Sequence, residues 1–307
     1  MENRGISPLR PAGGSPPGKK GAPGSGPLVT EAKGSPLAVA ALLLLPSLAL
    51  AGADAARRWR ERVMPRRDPD PPFEELRAVT SDGVALALRR IPGGGEGAVI
   101  VAHAAVTGQR YSPLVSLAEM LAAHFDVYTF DFRGHGASGG RLELNLGGPL
   151  EDMRTVVSKV REAGHAWVGA VGFSLGGMSV FLHAATCDGL DAAVVVGAPP
   201  QLPDVTPYRR LLPAWSLFLR FLGARFRAVN PGGPLPMEAA EDFPAVPLLV
   251  IHGENEAFYS RDDLERMLEK LGNRAELWVI DGAGHAELAG READLVEWLL
   301  AHRRGPS

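Results

Sequence analysis

Two Gly-x-Ser-x-Gly pentapeptides stand in the sequence, Gly136-Ala137-Ser138-Gly139-Gly140 and Gly172-Phe173-Ser174-Leu175-Gly176. A serine hydroxyl is a poor nucleophile at neutral pH. It becomes a good one when a base takes its proton, a turn exposes it, and donors await the developing oxyanion. A tight turn from strand to helix supplies the exposure, and its glycines remove side chains that would clash. Context separates the two serines. Ser174 follows the apolar run Trp167-Val168-Gly169-Ala170-Val171 and precedes the helix-like Met178-Ser179-Val180-Phe181-Leu182-His183-Ala184. Ser138 follows Arg133-Gly134-His135 and runs into Gly140-Arg141, with no helical pattern. Ser174 is the expected nucleophile, and Ser138 is read as a loop serine.

When such a turn sits on an α/β sheet, its partners follow in the order serine, acid, histidine. The base must then lie late in the chain. His285 stands in Gly282-Ala283-Gly284-His285, just after a strand that ends at Ile280. That is the carboxyl end of a strand, where open α/β sheets place their ligands. The one later histidine, His302, reads as solvated on the last helix. The acid should follow the strand at 248–252, in Gly253-Glu254-Asn255-Glu256-Ala257. Glu256 is the preferred candidate, with Glu254 beside it pointing elsewhere. Asp262 and Asp263 read as N-terminal residues of a helix, where carboxylates suit the dipole. Asp281 reads as the end of a strand. The oxyanion hole needs two backbone N–H groups. One is expected from Leu175, the other from the loop after the strand at 98–103, at Ala104 or Ala105.

The elements that must position these residues can be read from hydrophobic periodicity. Strands are predicted at 76–80, 84–90, 98–103, 127–131, 167–173, 192–197, 248–252 and 275–280. Helices are predicted at 113–123, 150–163, 175–186, 261–271 and 286–302. The first two strands read as a hairpin turning at Ser81-Asp82-Gly83. The later alternation of strand and helix predicts right-handed βαβ units and a mostly parallel eight-stranded sheet flanked by helices.

The 307-residue chain is 46% hydrophobic and 22% charged, which suits a globular core. A formal net charge of -3 gives no argument for nucleic-acid binding. Neither a metal-ligand cluster nor a Gly-rich phosphate loop is present in the sequence, so no metal or cofactor is expected. The lone cysteine, Cys187, reads as a small buried thiol. Residues 1–36 are rich in Gly, Pro and Ser, a composition expected to form a disordered tail. An uncharged run spans 35–53 around Leu42-Leu43-Leu44-Leu45, and 37–53 is its hydrophobic part. Three readings of it stay open. A membrane anchor is preferred, although the length is marginal for a span. A secretory signal peptide is the second, since Ala49-Leu50-Ala51 and Ala51-Gly52-Ala53 resemble cleavage sites. A packed helix of the domain is the third. Arg57, Arg58, Arg60, Arg62, Arg66 and Arg67 follow the run. By the positive-inside rule, they keep the catalytic domain in the cytoplasm, whereas a cleaved signal would export it. An Arg- and Pro-rich linker covers 54–72, and the folded domain is expected over 73–303.

From Val99 to His183 the sequence resembles the α/β-hydrolases of the monoacylglycerol lipase and S33 serine aminopeptidase type. The resemblance rests on Val101-Ala102-His103, on Gly108-Gln109-Arg110-Tyr111, on Asp131-Phe132-Arg133-Gly134-His135-Gly136-Ala137-Ser138, and on the turn at Ser174. Ile251-His252-Gly253-Glu254-Asn255-Glu256 and Gly284-His285 fit the family's acid and histidine loops. The resemblance implies an α/β-hydrolase fold and gives Asp131, Arg133 and His135 structural roles in the loop after the fourth strand. There are two departures. The family's oxyanion loop usually has His-Gly, where this chain has His103-Ala104. Its usual acid is Asp, where this chain has Glu256, a longer side chain that must approach His285 differently.

An insertion from about Pro199 to Val246 is expected as a short helical cap. Its apolar residues include Tyr208, Leu211, Leu212, Trp215, Phe218, Phe221, Leu222 and Phe226. They suit either a lid over an acyl or aryl substrate or simple packing onto the core. Arg209, Arg210, Arg220, Arg225 and Arg227 read as a solvated face or as partners for a carboxylate or lipid headgroup. The leading expectation is a serine esterase acting on a small-molecule acyl ester or thioester. Peptide hydrolysis and a non-catalytic binding role are the alternatives. Epoxide hydrolase and dehalogenase chemistry on this fold use an aspartate nucleophile, and serine at 174 argues against both.

Overall fold

Alternation along the strands is what builds the layers. In β3 (Gly97–Ala102), Ala98, Ile100 and Ala102 face one core while Val99 and Val101 face the other, all fully buried. β7 (Ala192–Val196) and β9 (Leu248–Gly253) split the same way. Strands apolar on both faces require helices on both faces. The computed structural model describes residues 70–95, 97–202 and 224–303, and supplies them.

Eight strands form one sheet: β1 (Glu74–Val79), β2 (Ala85–Ile91), β4 (Asp126–Phe130), β3, β6 (Trp167–Phe173), β7, β9 and β10 (Ala275–Ile280), in that spatial order. β1 and β2 are antiparallel, and β2 runs antiparallel to β4. From β4 to β10 every neighbouring pair is parallel. α1 (Ser112–Ala122) and α6 (Glu292–Arg303) pack on one face through Leu117, Leu121, Leu295 and Leu299. α2 (Gly147–Glu162), α3 (Leu175–Thr186) and α5 (Arg261–Leu271) pack on the other through Met153, Phe181 and Met267. All eight predicted strands are present.

After β3 the chain crosses to β4 on one side, and after β6 it crosses to β7 on the other. The strand order therefore reverses between β3 and β6. A crevice opens at the carboxyl ends of those two strands, the favoured ligand position in an open α/β sheet.

Three features differ from expectation. The final helix starts at Glu292, not near residue 286. Ala286 and Ala289 have φ of 56° and 45° and Gly290 has 88°, conformations no α-helix can contain. A second sheet pairs β5 (Leu142–Asn145) with β8 (Phe226–Gly232), so the described part of the insertion holds a strand. Its only described helix is the short α4 (Pro236–Ala239). Cys187 is not fully buried. It ends α3, half-exposed, and its sulfur accepts the Arg154 Nε–H at 2.9 Å.

The tail at 1–36, the apolar run at 37–53, most of the 54–72 linker and the aromatic part of the insertion at 203–223 lie outside the described residues. Among the described residues, no helix is long and apolar enough to cross a membrane.

Candidate active site

Ser174 sits between β6 and α3 with φ of 51°. A non-glycine residue held in this region is strained, and such strain gathers at functional sites. The surrounding structure enforces it. The Ser174 N–H donates to the Val196 carbonyl at 2.9 Å, and the Ser174 carbonyl accepts from Met178 N–H at 2.9 Å. The flanking glycines are sterically required. A Cβ on Gly172 would lie 2.3 Å from the Gly176 carbonyl oxygen, and one on Gly176 would lie 2.3 Å from that of Ala102. The helix therefore starts hard against the ends of β6 and β3, and Ser174 is lifted clear of the sheet.

Parallel pairing brings the other two residues to it. Gly253 at the end of β9 stands opposite Ile280 at the end of β10, so the loops beyond them emerge side by side. Asn255 N–H donates to the Ala283 carbonyl at 2.9 Å, and Glu254 N–H to that of Ile280 at 3.0 Å. Two glycines, overlooked in the sequence, let the histidine loop fold inward. A Cβ on Gly253 would meet the Gly284 oxygen at 2.3 Å. One on Gly197, whose φ is 56°, would meet the Ala286 nitrogen at 2.5 Å. A glycine directly after an apolar strand was the available signal.

His285 Nε2 then lies 2.9 Å from Ser174 Oγ, and Nδ1 lies 2.7 and 2.9 Å from the two Glu256 oxygens. The Glu256 side chain is 2% exposed, and its Oε1 also accepts the Phe258 N–H at 2.7 Å. With Nδ1–H donating to this carboxylate, Nε2 is free to accept the serine proton. The extra methylene of Glu256 is thus accommodated by a loop that fixes the carboxylate at two points. The rival acids are engaged elsewhere. Glu254 Oε2 accepts Gly282 N–H at 2.9 Å, and Asp263 lies in the first turn of α5, its N–H donating to the N-cap Ser260 hydroxyl at 3.1 Å. Asp281 is exposed after β10. His302 bonds the Trp298 carbonyl at 2.8 Å.

Leu175 is the first residue of α3, so its N–H is one of the donors that no helical carbonyl can accept. Because a Cβ on Gly176 would also strike His103's carbonyl, at 2.9 Å, the loop after β3 runs directly beside this first turn. Ala104 is the first residue of that loop that is not fully buried. Its carbonyl accepts His103 Nδ1–H at 2.7 Å, Thr107 N–H at 3.1 Å and the Thr107 hydroxyl at 3.2 Å. The Ala105 carbonyl is held by His135 Nε2 at 2.7 Å. Ala104 does not have a positive φ, so its methyl group adds no backbone strain where the family usually has glycine.

Beneath the loop is a buried polar layer. Phe132 N–H donates to His103 Nε2 at 3.0 Å, which fixes a neutral imidazole. Burial, with His135 alongside, pushes its pKa down to about 4. Asp131 accepts Gln109 N–H at 3.1 Å, Gln109 Nε2–H at 3.0 Å and Ala137 N–H at 3.1 Å. Burial pushes its carboxyl up, but His103 and these donors outweigh that and hold it below the ordinary value. Arg133 bridges Asp152, at 2.9 Å, and Asp82, at 2.7 Å. From the insertion, the Arg225 guanidinium reaches the Ser138 carbonyl and, at 3.3 Å, the Gly140 carbonyl, so it ties the insertion to the loop after β4. Arg227 is exposed, while Arg209, Arg210 and Arg220 lie outside the described residues.

Known proteins share this arrangement of elements. Residues 92–298 match the model of the alpha/beta hydrolase family. No curated protein matches the sequence. Among solved structures, the Pyrococcus furiosus esterase Pf2001 is 20% identical, with 75% of this chain and 92% of that chain covered and a TM-score of 0.60. The alpha/beta hydrolase GrgF from Penicillium sp. sh18 is 16% identical, with coverage of 76% and 98% and a TM-score of 0.61. The esterase RhEst1 from Rhodococcus sp. ECU1013 is 18% identical, with coverage of 76% and 99% and a TM-score of 0.57. At these identities the likeness is one of fold. The family match covers most of the chain and takes in both the turn at Ser174 and the loop at His285, so the chain belongs to the alpha/beta hydrolase family.

Proposed function

We propose that the protein hydrolyses a carboxylic ester or thioester through an acyl-enzyme on Ser174. The observation that carries this reading is the unbroken chain of hydrogen bonds from Glu256 through His285 to Ser174, at 2.7 and 2.9 Å. His285 Nε2 takes the Ser174 proton as Oγ attacks the acyl carbon. The tetrahedral oxyanion accepts the N–H groups of Leu175 and of Ala104 or Ala105. Glu256 stabilises the imidazolium, which then protonates the leaving oxygen or sulfur as its bond to carbon breaks. Water, deprotonated by the same imidazole, attacks the acyl carbon, the Oγ–carbon bond breaks, and Oγ takes the proton back from His285 as the acid departs. The names of Pf2001 and RhEst1, both esterases, agree with this choice of bond.

A fluorophosphonate probe tests the reading directly. Wild-type protein should be labelled, with the adduct on Ser174, and Ser174→Ala should not. Wild-type protein that resists the probe while a control esterase reacts would falsify the nucleophile assignment.

The same reading includes attachment to a membrane through residues 37–53, with the domain on the cytoplasmic side. Carbonate extraction of membranes from expressing cells checks it, and full-length protein released into the supernatant overturns it.

A further inference from the structure

The Phe258 side chain has no part in the chemistry above, where only its backbone N–H serves, on Glu256. Four large apolar side chains are exposed among the described residues, and Phe258 is the one aromatic, 63% exposed. An isolated exposed apolar residue normally needs no explanation. The position of this one does. Its ring centroid is 4.1 Å from that of His285, with the planes inclined by 34°. Its own N–H donates to Glu256 Oε1 at 2.7 Å, so the base's partner and the ring over the base are held by one short loop. The ring therefore covers a face of the imidazole while its outer surface stays open to solvent.

In the ester-hydrolase reading, on which this inference rests, the position of the leaving group is set by proton transfer. His285 Nε2 must come within hydrogen-bond reach of the leaving oxygen to protonate it. The substituent on that oxygen starts one bond further out, within reach of the ring stacked on the same imidazole. The acyl carbon is bonded to Ser174 Oγ from the attack until water cleaves that bond in the second half, and the leaving group departs in the first. We propose that Phe258 is the specificity determinant for the leaving group, and that the preferred substrates are esters of aryl or comparably flat apolar alcohols. An aromatic leaving group would cover the exposed ring by offset or edge contact.

Phenyl acetate and 2,2,2-trifluoroethyl acetate test this, because they share one acetyl-enzyme and differ only in the leaving group. Phe258→Ala should lower kcat/KM for phenyl acetate roughly tenfold and that for the trifluoroethyl ester less than twofold. Deacylation, read from steady-state turnover after the burst, should be unchanged. Phe258→Leu should restore only part of the loss. Equal losses on both esters would overturn the proposal, as would a deacylation rate that falls with acylation. Either result would make Phe258 a positioning residue for His285. Wild-type protein that neither hydrolyses the two esters nor takes a fluorophosphonate adduct on Ser174 would remove the ester-hydrolase reading itself. An adduct without leaving-group dependence removes only the role of Phe258.

Discussion

The two Gly-x-Ser-x-Gly segments share a pattern and almost nothing else. At Ser174 the glycines make room for neighbouring backbone, and the hydroxyl faces the imidazole of His285 at 2.9 Å. At Ser138 both hydrogen-bonding functions of the hydroxyl are consumed. It accepts the Ala87 N–H at 2.8 Å, donates to the Asp131 carbonyl, and is 2% exposed. Its glycines serve the turn itself. Gly136, at φ of 42°, leaves space that the Asp131 carboxylate occupies, and a Cβ there would lie 2.0 Å from Oδ2. One segment thus uses its glycines to expose a serine, and the other to bury one. The difference lies in the next element of the chain: a helix directly after Ser174, and the short strand β5 after Ser138, beyond the loop residues Gly139, Gly140 and Arg141.

The widest separation between them should appear in turnover. Ser174→Ala is expected to reduce ester hydrolysis by about 10⁵-fold without loss of stability. The same substitution at 138 should leave turnover within a few-fold of wild type. Next in size is the charge behind the base. Glu256→Gln keeps an oxygen near His285 Nδ1 but cannot stabilise an imidazolium. The loss in kcat should be about 10³-fold or more, with fluorophosphonate labelling slowed in parallel. A variant that labels at the wild-type rate would show that Glu256 serves the loop and not the base.

On the Ser138 side, where the buried polar layer lies, stability should depend on pH. His103 is neutral and fully buried, with its pKa near 4 instead of the ordinary 6.5. Between those values the unfolded chain binds a proton that the folded chain refuses. Stability must therefore fall as pH drops from about 6.5 toward 4, by up to about 3 kcal/mol from this group. His165 and His252, also lowered by burial, add to the same window. Asp131, held below the ordinary 3.8, contributes its loss only at lower pH. Urea midpoints at pH 7 and pH 4.5 measure the decline, and His103→Gln should make it shallower.

The sheet was legible in the sequence because its strands are apolar on both faces and separated by helical patterns. Ser174, Glu256 and His285 were legible through order and local setting. Their convergence was not, since residues 256 and 285 meet only through the register that sets Gly253 opposite Ile280. The supports of the site were illegible for related reasons. Gly197 matters because of Ala286, far along the chain, and Phe258 because of His285. The strand Leu142–Asn145 is short and pairs with a segment of the insertion, outside the main sheet. The Ala286–Gly290 stretch has the composition of a helix start, yet positive φ at three positions lets it wrap His285 toward Ser174.

Losing the Ser138 hydroxyl should be the mildest of these changes. Ser138→Ala removes an oxygen that pairs two buried backbone groups, the Ala87 N–H and the Asp131 carbonyl. Leaving them unpaired should cost about 2 kcal/mol, because a buried donor or acceptor without a partner loses its water and gains nothing. Both groups sit where β2 meets the loop after β4, and that loop carries Asp131, whose carboxylate holds Gln109 beside the Ala104 turn. The variant should therefore unfold at lower urea while its folded fraction reacts with a fluorophosphonate at nearly the wild-type rate. A folded Ser138→Ala protein that fails to label would break the distinction between the two serines and move the functional boundary into the loop after β4. A variant of unchanged stability would instead show that the buried hydroxyl is replaceable, leaving the pattern at 136–140 without a structural reason for its serine.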